Sequence, residues 1–202
     1  ATGSISFSSG VVAISIGDNQ TCAVKAGGSL YCWGYNNYGQ LGDGTATARS
    51  VPTQVLTAAS TPLTGVTNVS IDVYFGCAML NTATAVGQVD CWGYNAHGEL
   101  GDGTVTTRYF AKPAMVGSTP DVEFSGVTDI SVGMFHACAV QNGAALCWGY
   151  NGGGNLGTGN TTSASNPIQV IATADATPIN FSSGVTDVEV GYMGGHIDNP
   201  GY

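Results

Sequence analysis

Short runs of alternating apolar and polar residues, each bounded by glycine, recur along the chain. "VVAISIG", "VTDISVG" and "VTDVEVG" are β-branched and end in an apolar–polar–apolar alternation. Alternation with period 2 predicts half-buried β-strands, and no stretch has the period of about 3.6 residues that marks an amphipathic helix. The pattern therefore predicts an all-β fold of short antiparallel strands.

The strand runs belong to a larger internal repeat. Each of the tryptophans Trp33, Trp92 and Trp148 lies in a "CWGYN" motif, and they are 59 and 56 residues apart. A repeat of this length with several short strands fits a β-propeller blade better than a helical solenoid. We expect one repeat domain over residues 1–202, with three complete blades and a truncated fourth unit, at about 10–64, 65–125, 126–183 and 184–202.

The cysteines agree with this hairpin interpretation. In the third repeat, "CAVQNGAALC" contains Asn142-Gly143, a strong two-residue hairpin turn signal, which places Cys138 opposite Cys147. A three-residue loop, 26–28, places Cys22 opposite Cys32 in the first repeat. A five-residue loop, 82–86, with Asn81 facing Gly87, places Cys77 opposite Cys91 in the second.

The cysteines keep their register although the loop length changes, which favours a cross-strand disulfide in every repeat. Free buried cysteines and a zinc site are the alternatives. The spacing is not C-x2-C, and the histidines do not recur beside the pairs. Three disulfides would indicate an oxidising compartment, so we expect an extracellular or cell-surface protein.

The motif "GxxxCAxxxxGxxxCWGYNxxGQLGDGT" followed by "SVPTQV" closely resembles the repeat of the regulator of chromosome condensation family. The match includes Gly17, Cys22, Trp33, Asn36 and Leu41, and it recurs in the other two repeats. The resemblance implies a β-propeller with four-stranded blades, usually seven per protein. Family members include a nuclear exchange factor for a small GTPase, a secreted β-lactamase inhibitor and extracellular bacterial proteins. The paired cysteines match the secreted branch better.

Charge narrows the range of partners. The chain has 13 acidic residues against four Lys and Arg, a formal net charge of −9. Nucleic acids and anionic membrane surfaces are bound mainly through Lys and Arg, so neither is an expected partner. No apolar run is long enough to span a bilayer, so we expect no membrane insertion.

Few residues have the spacing expected of a catalytic or metal-binding site. Asp43 and Asp102 lie in "GDGT" motifs, where Asp-Gly indicates a turn before it indicates a calcium loop. The histidines His97, His136 and His196 occupy non-equivalent positions without an obvious Ser or Cys partner. We therefore predict a non-enzymatic protein without a cofactor or metal. The three tryptophans are expected to pack between blades, with stacking on sugars as the alternative.

The loops "YNNYGQ" and "YNAHGE" have the Tyr, Asn and Gly composition of adaptable binding surfaces. Tyr38 and His97 vary at otherwise repeated positions, which makes them candidates for partner contacts. Four N-x-Ser/Thr sequons offer candidate glycosylation sites at Asn19, Asn68, Asn160 and Asn180.

The unfinished fourth unit suggests an open array. Three blades and one strand do not close a ring. The chain is then a fragment of a larger propeller, or its exposed blade edges pair with another copy to complete a ring or to form a fibre. Our first hypothesis is a self-assembling extracellular structural protein that forms a filament, tube or surface layer with copies of itself. A predicted strand 185–190 and the tail 193–202 would contact another copy or the N-terminal segment 5–16, with an assembly edge comprising Val185, Val188, Val190, Tyr192 and Tyr202. The alternative is a secreted binding module or inhibitor that recognises a protein or glycan through its loops.

Overall fold

The computed structural model describes residues 7–84, 86–117, 122–171, 181 and 183–191. All regular secondary structure within these residues is β, most of it in three four-stranded antiparallel sheets. The strand order in each sheet follows the order along the chain, as in the blades of a propeller. The predicted all-β propeller fold is confirmed, and the array of blades is open.

Each blade runs from an inner to an outer strand. Blade 1 contains β1 (Val11–Ile16), β2 (Gln20–Lys25), β3 (Ser29–Gly34) and β4 (Arg49–Gln54). A small hairpin of β5 (Leu56–Ala58) and β6 (Thr61–Pro62) follows. Blade 2 contains β7 (Val66–Ile71), β8 (Phe75–Asn81), β9 (Val86–Gly93) and β10 (Arg108–Pro113). Blade 3 contains β11 (Val127–Val132), β12 (His136–Gln141), β13 (Ala144–Gly149) and β14 (Ala164–Gln169).

The predicted cysteine pairs face each other across the central hairpins and form disulfides, with S–S distances of 2.04, 2.11 and 2.10 Å in blades 1 to 3. The predicted loop in blade 2 is wrong by one residue, because Asn81 pairs with Val86 instead of Gly87. Gly87 has a φ of +65° and donates its backbone N–H to Asn81 Oδ1. This bulge absorbs the difference, so the cysteine register is retained.

Apolar side chains fill the spaces between adjacent blades. The largest are Trp92 and Trp148, both fully buried, and each indole Nε1 donates a hydrogen bond to a backbone carbonyl of the preceding blade. The acceptors are the carbonyl oxygens of Gln40 and Glu99, at 2.8 and 2.9 Å. These two tryptophans therefore confirm the predicted packing between blades and explain why the motif repeats once per blade.

The corresponding face of blade 1 is open in the described part of the chain. Val11, Ile14 and Ile16 are 39%, 60% and 72% exposed. Their counterparts in blades 2 and 3 are all buried against the preceding blade: Val66, Val69, Ile71, Val127, Ile130 and Val132. Trp33 is only half-buried, with the ring of Phe7 at 5.9 Å from it. We call the surface formed by Val11, Ile14, Ile16 and Trp33 the open face of blade 1.

Residues 183–191 lie against blade 3 where the inner strand of a fourth blade would lie. Val190 N donates to Ser131 Oγ at 3.0 Å, and Val188 N donates to Asp129 Oδ2 at 2.9 Å. Val188 and Val190 pack on the Cys138–Cys147 core of blade 3. The predicted strand 185–190 is wrong for the described residues, because no described strand pairs with the segment. Tyr192, Tyr202 and the predicted contacts of 193–202 lie outside the described residues.

Candidate functional site

The turns before β2, β8 and β12 and the loops after β3, β9 and β13 lie at one end of the blades, because the strands are antiparallel. Each "CWG" glycine lets the turn and the loop of its blade approach closely. Gly93 has a φ of +107°, and a Cβ there would lie 2.6 Å from the carbonyl oxygen of Tyr74. That oxygen accepts a hydrogen bond from Tyr94 N at 3.0 Å, which places the two tyrosines side by side. The same roles in blade 3 belong to Phe135, Gly149 and Tyr150.

A buried asparagine shapes the loop that follows. In blade 2, Asn95 Oδ1 accepts from Leu100 N at 2.9 Å, and Asn95 Nδ2 donates to the carbonyl oxygens of Thr104 and Thr106. Asp102 accepts from Thr104 and forms an ion pair with Arg108 at 2.8 Å. Blade 1 repeats the arrangement with Asn36, Leu41, Asp43, Thr45, Thr47 and Arg49. The "GDGT" aspartates therefore organise turns, as predicted.

The loop of one blade extends over the turn of the next. Tyr38 of blade 1 contacts Tyr74 and Tyr94 of blade 2, with both ring centroids at 5.4 Å. His97, at the equivalent position of blade 2, contacts Phe135 and Tyr150 of blade 3 at 6.1 and 5.1 Å. Because both contacts cross a blade boundary, the rings are brought together only when the blades stack.

These two groups of rings form one surface. Tyr74 and Phe135 stack at 5.2 Å with an interplanar angle of 21°, and Tyr94 lies 6.2 Å from His97. Most of the other ring pairs in these two groups meet edge to face, and both edge-to-face and stacked pairs stabilise aromatic clusters. We define the aromatic surface as Tyr38, Tyr74, Tyr94, His97, Phe135 and Tyr150.

Two fully buried polar side chains fix the loops beneath the aromatic surface. Gln40 Oε1 accepts from Tyr38 N at 2.9 Å, and Gln40 Nε2 donates to the carbonyl oxygen of Val73 at 3.2 Å. At the equivalent position, Glu99 accepts from His97 N at 2.8 Å and pairs with His97 Nδ1 at 2.9 Å. Tyr38 and His97 are therefore positioned by the blade and are not free loop side chains.

Burial affects the hydroxyls of two tyrosines in the aromatic surface, Tyr74 and Tyr94. Burial raises the pKa of Tyr74, with smaller contributions from Tyr38, Tyr35 and Asp18. Burial also raises the pKa of Tyr94, with Glu99 as the next contribution. Both hydroxyls therefore stay protonated at neutral pH and can donate hydrogen bonds to a partner.

The structure brings together only some of the predicted site residues. Tyr38 and His97 lie in the aromatic surface, whereas Tyr74 and Phe135 were missed by sequence reasoning. They occupy the position held by Asn19 in blade 1, so they are not part of the repeated motif. The available signal was an aromatic residue immediately before the second strand of a blade.

The other predicted residues lie elsewhere. The candidate glycosylation sites Asn19 and Asn160 are exposed, Asn68 is half-buried in β7, and Asn180 lies outside the described residues, as does His196. His136 is half-buried, and burial lowers its pKa. In the described ranges, no group of three or more His, Cys, Asp or Glu side chains is arranged to hold a metal ion. No helix among these residues is long and apolar enough to cross a membrane.

The stacked four-stranded blades define the class of protein, which is a repeat β-propeller. The sequence matches the family description "Regulator of chromosome condensation (RCC1) repeat" over residues 27–78, 87–140 and 142–194, and a second description of the same repeat over residues 11–40. The chain therefore belongs to the RCC1 repeat family. Propellers of this family are a protein-binding module type and are generally non-catalytic.

Relatives cover most of this chain but are much longer. The mitochondrial RCC1 domain-containing protein RUG3 of Arabidopsis thaliana is 31% identical over 86% of this chain and 38% of its own length. The ultraviolet-B receptor UVR8 of the same plant is 26% identical over 81% of this chain and 35% of its own length. This chain thus spans less than two-fifths of either relative.

Solved structures show the same fold. Human WBSCR16 superposes with a TM-score of 0.61 at 24% identity, covering 79% of this chain and 39% of that chain. Prp20p of Saccharomyces cerevisiae superposes with a TM-score of 0.60 at 17% identity, covering 80% and 38%. The three blades therefore superpose on part of a longer chain in each case.

Proposed function

We propose that this chain is a binding module that recognises a protein partner through the aromatic surface. The observation that carries the proposal is the contact of six rings from three blades on one end of the propeller. Tyr38 is 39% exposed, and the other five rings are half-buried. A rigid, partly exposed set of aromatic side chains is typical of the centre of a protein interface, where Tyr is enriched among the residues that dominate affinity.

The surface is well prepared for binding. Its rings are held by backbone hydrogen bonds and by the buried Gln40 and Glu99, so little side-chain entropy is lost when a partner docks. The loops also expose amide and hydroxyl groups that can supply polar contacts around the rings.

Selection from a phage-displayed library of random short peptides tests this proposal. We expect selected peptides to bind the wild-type chain and to lose affinity for the Tyr38→Leu and Tyr74→Leu variants. Truncating an interface hot spot costs about 2 kcal/mol or more. Tyr31→Leu is the matched control, because Tyr31 is a half-buried tyrosine whose ring contacts Phe7, outside the aromatic surface. Selected peptides that bind all variants equally would contradict the proposal. If the chain bound glycans on a glycan array and no peptide, that result would also contradict it.

We propose self-association as a second function, because a different observation favours it. The open face of blade 1 exposes apolar positions that blades 2 and 3 bury against a preceding blade. Each blade has a polar residue followed by a buried leucine on the side that faces the next blade: Gln40–Leu41 in blade 1 and Glu99–Leu100 in blade 2. Blade 3 has Asn155 and the buried Leu156 at these positions. Residues 183–191 occupy the inner-strand position of a fourth blade on this surface, so a second copy would cover the open face of blade 1 by displacing them from its blade 3. Repetition of such a head-to-tail contact would give a filament or closed ring.

Light scattering and negative-stain microscopy of purified protein test self-association. We expect oligomers that are lost in Ile14→Glu and retained in Val51→Glu, a control at a valine that is 64% exposed on the outer strand β4. A wild-type protein that remains monomeric at high concentration would overturn this second function and leave the first unaffected.

We also propose an extracellular or cell-surface location, which the three disulfides support, because disulfides persist in oxidising compartments. Counting free thiols in protein isolated from its natural source without reductant tests this location. Six alkylatable cysteines per chain would contradict it.

A further inference from the structure

We propose that the partner docks a segment bearing arginine or lysine side chains on the aromatic surface. This inference rests on the first proposed function and names the chemistry of its ligand. Its basis is the combination of ring faces with nearby acidic groups on one end of the propeller. Cations bind over aromatic faces because the ring quadrupole is negative there, and the attraction increases when other negative groups contribute to the field.

The acidic groups lie beside and beneath the rings. Asp18 is exposed in the turn before β2, and its charge contributes to the raised pKa values of both Asp72 and Tyr74. Asp72 lies in the turn that carries Tyr74, and Glu99 lies below His97. Carboxylates therefore approach the ring set from its inner side and from below.

The Lys and Arg side chains of the described residues have the following positions and contacts. Arg49 and Arg108, which begin outer strands at this end, are each held by an aspartate, at 2.6 and 2.8 Å. Lys25 ends β2 at the opposite end of blade 1, and Lys112 contacts the carbonyl oxygen of Thr57. His97 is the one titratable cation within the aromatic surface, and Glu99 compensates its charge when it is protonated.

The geometry suits an extended segment better than a single enclosed cation. The rings of Tyr38, Tyr74 and Tyr94 touch one another at 5.4–5.9 Å between centroids, so they leave no cage between them. The ring set continues from blade 1 to blade 3 through Phe135 and Tyr150. Guanidinium groups stack on aromatic rings, and a peptide with several of them can follow the row of partly exposed rings.

The test uses a fluorescent peptide in which glycine-serine spacers separate arginines, and the same peptide with citrulline, an uncharged isostere of arginine. Anisotropy is measured at low salt, where attraction between charges is least screened. We expect the citrulline peptide to bind about tenfold more weakly. Tyr74→Leu and Asp18→Asn should each weaken arginine-peptide binding, whereas the control variants Tyr31→Leu and Glu123→Gln should not. Thermal melts establish that each variant is folded.

Equal binding of the two peptides, or binding of neither, would overturn this inference. The library selection described above separates its failure from that of the proposed function. Selected peptides that require Tyr74 but show no excess of arginine or lysine would retain the proposed function and remove the inference. Selected peptides that do not require Tyr74 would remove the proposed function itself.

Discussion

Asp90 provides a quantitative test of the blade 2 structure. Its carboxyl is 3% exposed on the central strand β9, where it accepts a hydrogen bond from Gln88 Nε2 at 2.8 Å. Burial raises the pKa of Asp90 from 3.8 to about 6, and Glu123 adds to the increase while Gln88 and Lys112 oppose it. At about 1.4 kcal/mol per pH unit, ionised Asp90 costs the folded state about 3 kcal/mol above pH 6.

The raised pKa of Asp90 makes the free energy of unfolding depend on pH. Because the folded pKa is raised, the stabilisation from protonated Asp90 is fully present below pH 3.8 and is lost as the pH rises through about 6. Asp90→Asn keeps the oxygen that accepts from Gln88 and removes the charge. We therefore expect this variant to be more stable than the wild type at pH 7 by up to about 3 kcal/mol, with the difference vanishing near pH 3.5.

Urea denaturation with the disulfides intact, measured across this pH range, gives the free energy of unfolding of both proteins. Glu189→Gln, at an exposed carboxyl, is the control and should show little difference from the wild type at any pH. A gain from Asp90→Asn that does not depend on pH, or a loss of stability at pH 7, would refute the reasoning.

Three further predictions concern the repeat itself. The Cys138–Cys147 disulfide should be reduced first in a dithiothreitol titration followed by peptide mapping. Its cysteines are 9% and 5% exposed, whereas those of the other two disulfides are fully buried. Simultaneous reduction of all three disulfides would contradict this prediction. Trp92→Phe should lower the free energy of unfolding by about 2–4 kcal/mol, because it removes the indole hydrogen bond and leaves a cavity. Trp33→Phe should lower it by less than about 1 kcal/mol. Equal losses in urea unfolding would be inconsistent with an open face of blade 1. Asn95→Ala should lower the free energy of unfolding by at least about 3 kcal/mol, because it leaves several buried polar groups of the loop unpaired. An unchanged free energy in urea unfolding would contradict the role of Asn95 in shaping the loop.

The parts of the fold that depend on local sequence were predictable. The hairpin register follows from the alternation of residues and the loop length, so the three cysteine pairs could be placed without a structure. The error in blade 2 arose because the bulge at Gly87 shifts the pairing by one residue at the hairpin end, where Asn81 pairs with Val86, while Leu80 still pairs with Gln88. The predicted strand 185–190 failed because a strand requires a pairing partner, and no described strand pairs with this segment.

The aromatic surface was only half predictable. Tyr38 and His97 were identified because they vary within a repeated motif. Tyr74 and Phe135 were not, since their importance depends on how far the loop of one blade extends over the turn of the next. Contacts across blade boundaries join residues that are distant in the chain. The alternation of residues within a single repeat therefore does not predict these contacts.

Isothermal titration of a library-selected peptide into the wild-type chain and the Tyr38→Leu/Tyr74→Leu double variant tests the central claim most directly. Our account predicts at least an about thirtyfold loss of affinity in the double variant, equivalent to about 2 kcal/mol, and unchanged affinity in Tyr31→Leu. Equal affinity for the wild type and the double variant, with both proteins folded, would show that the aromatic surface is not the binding site.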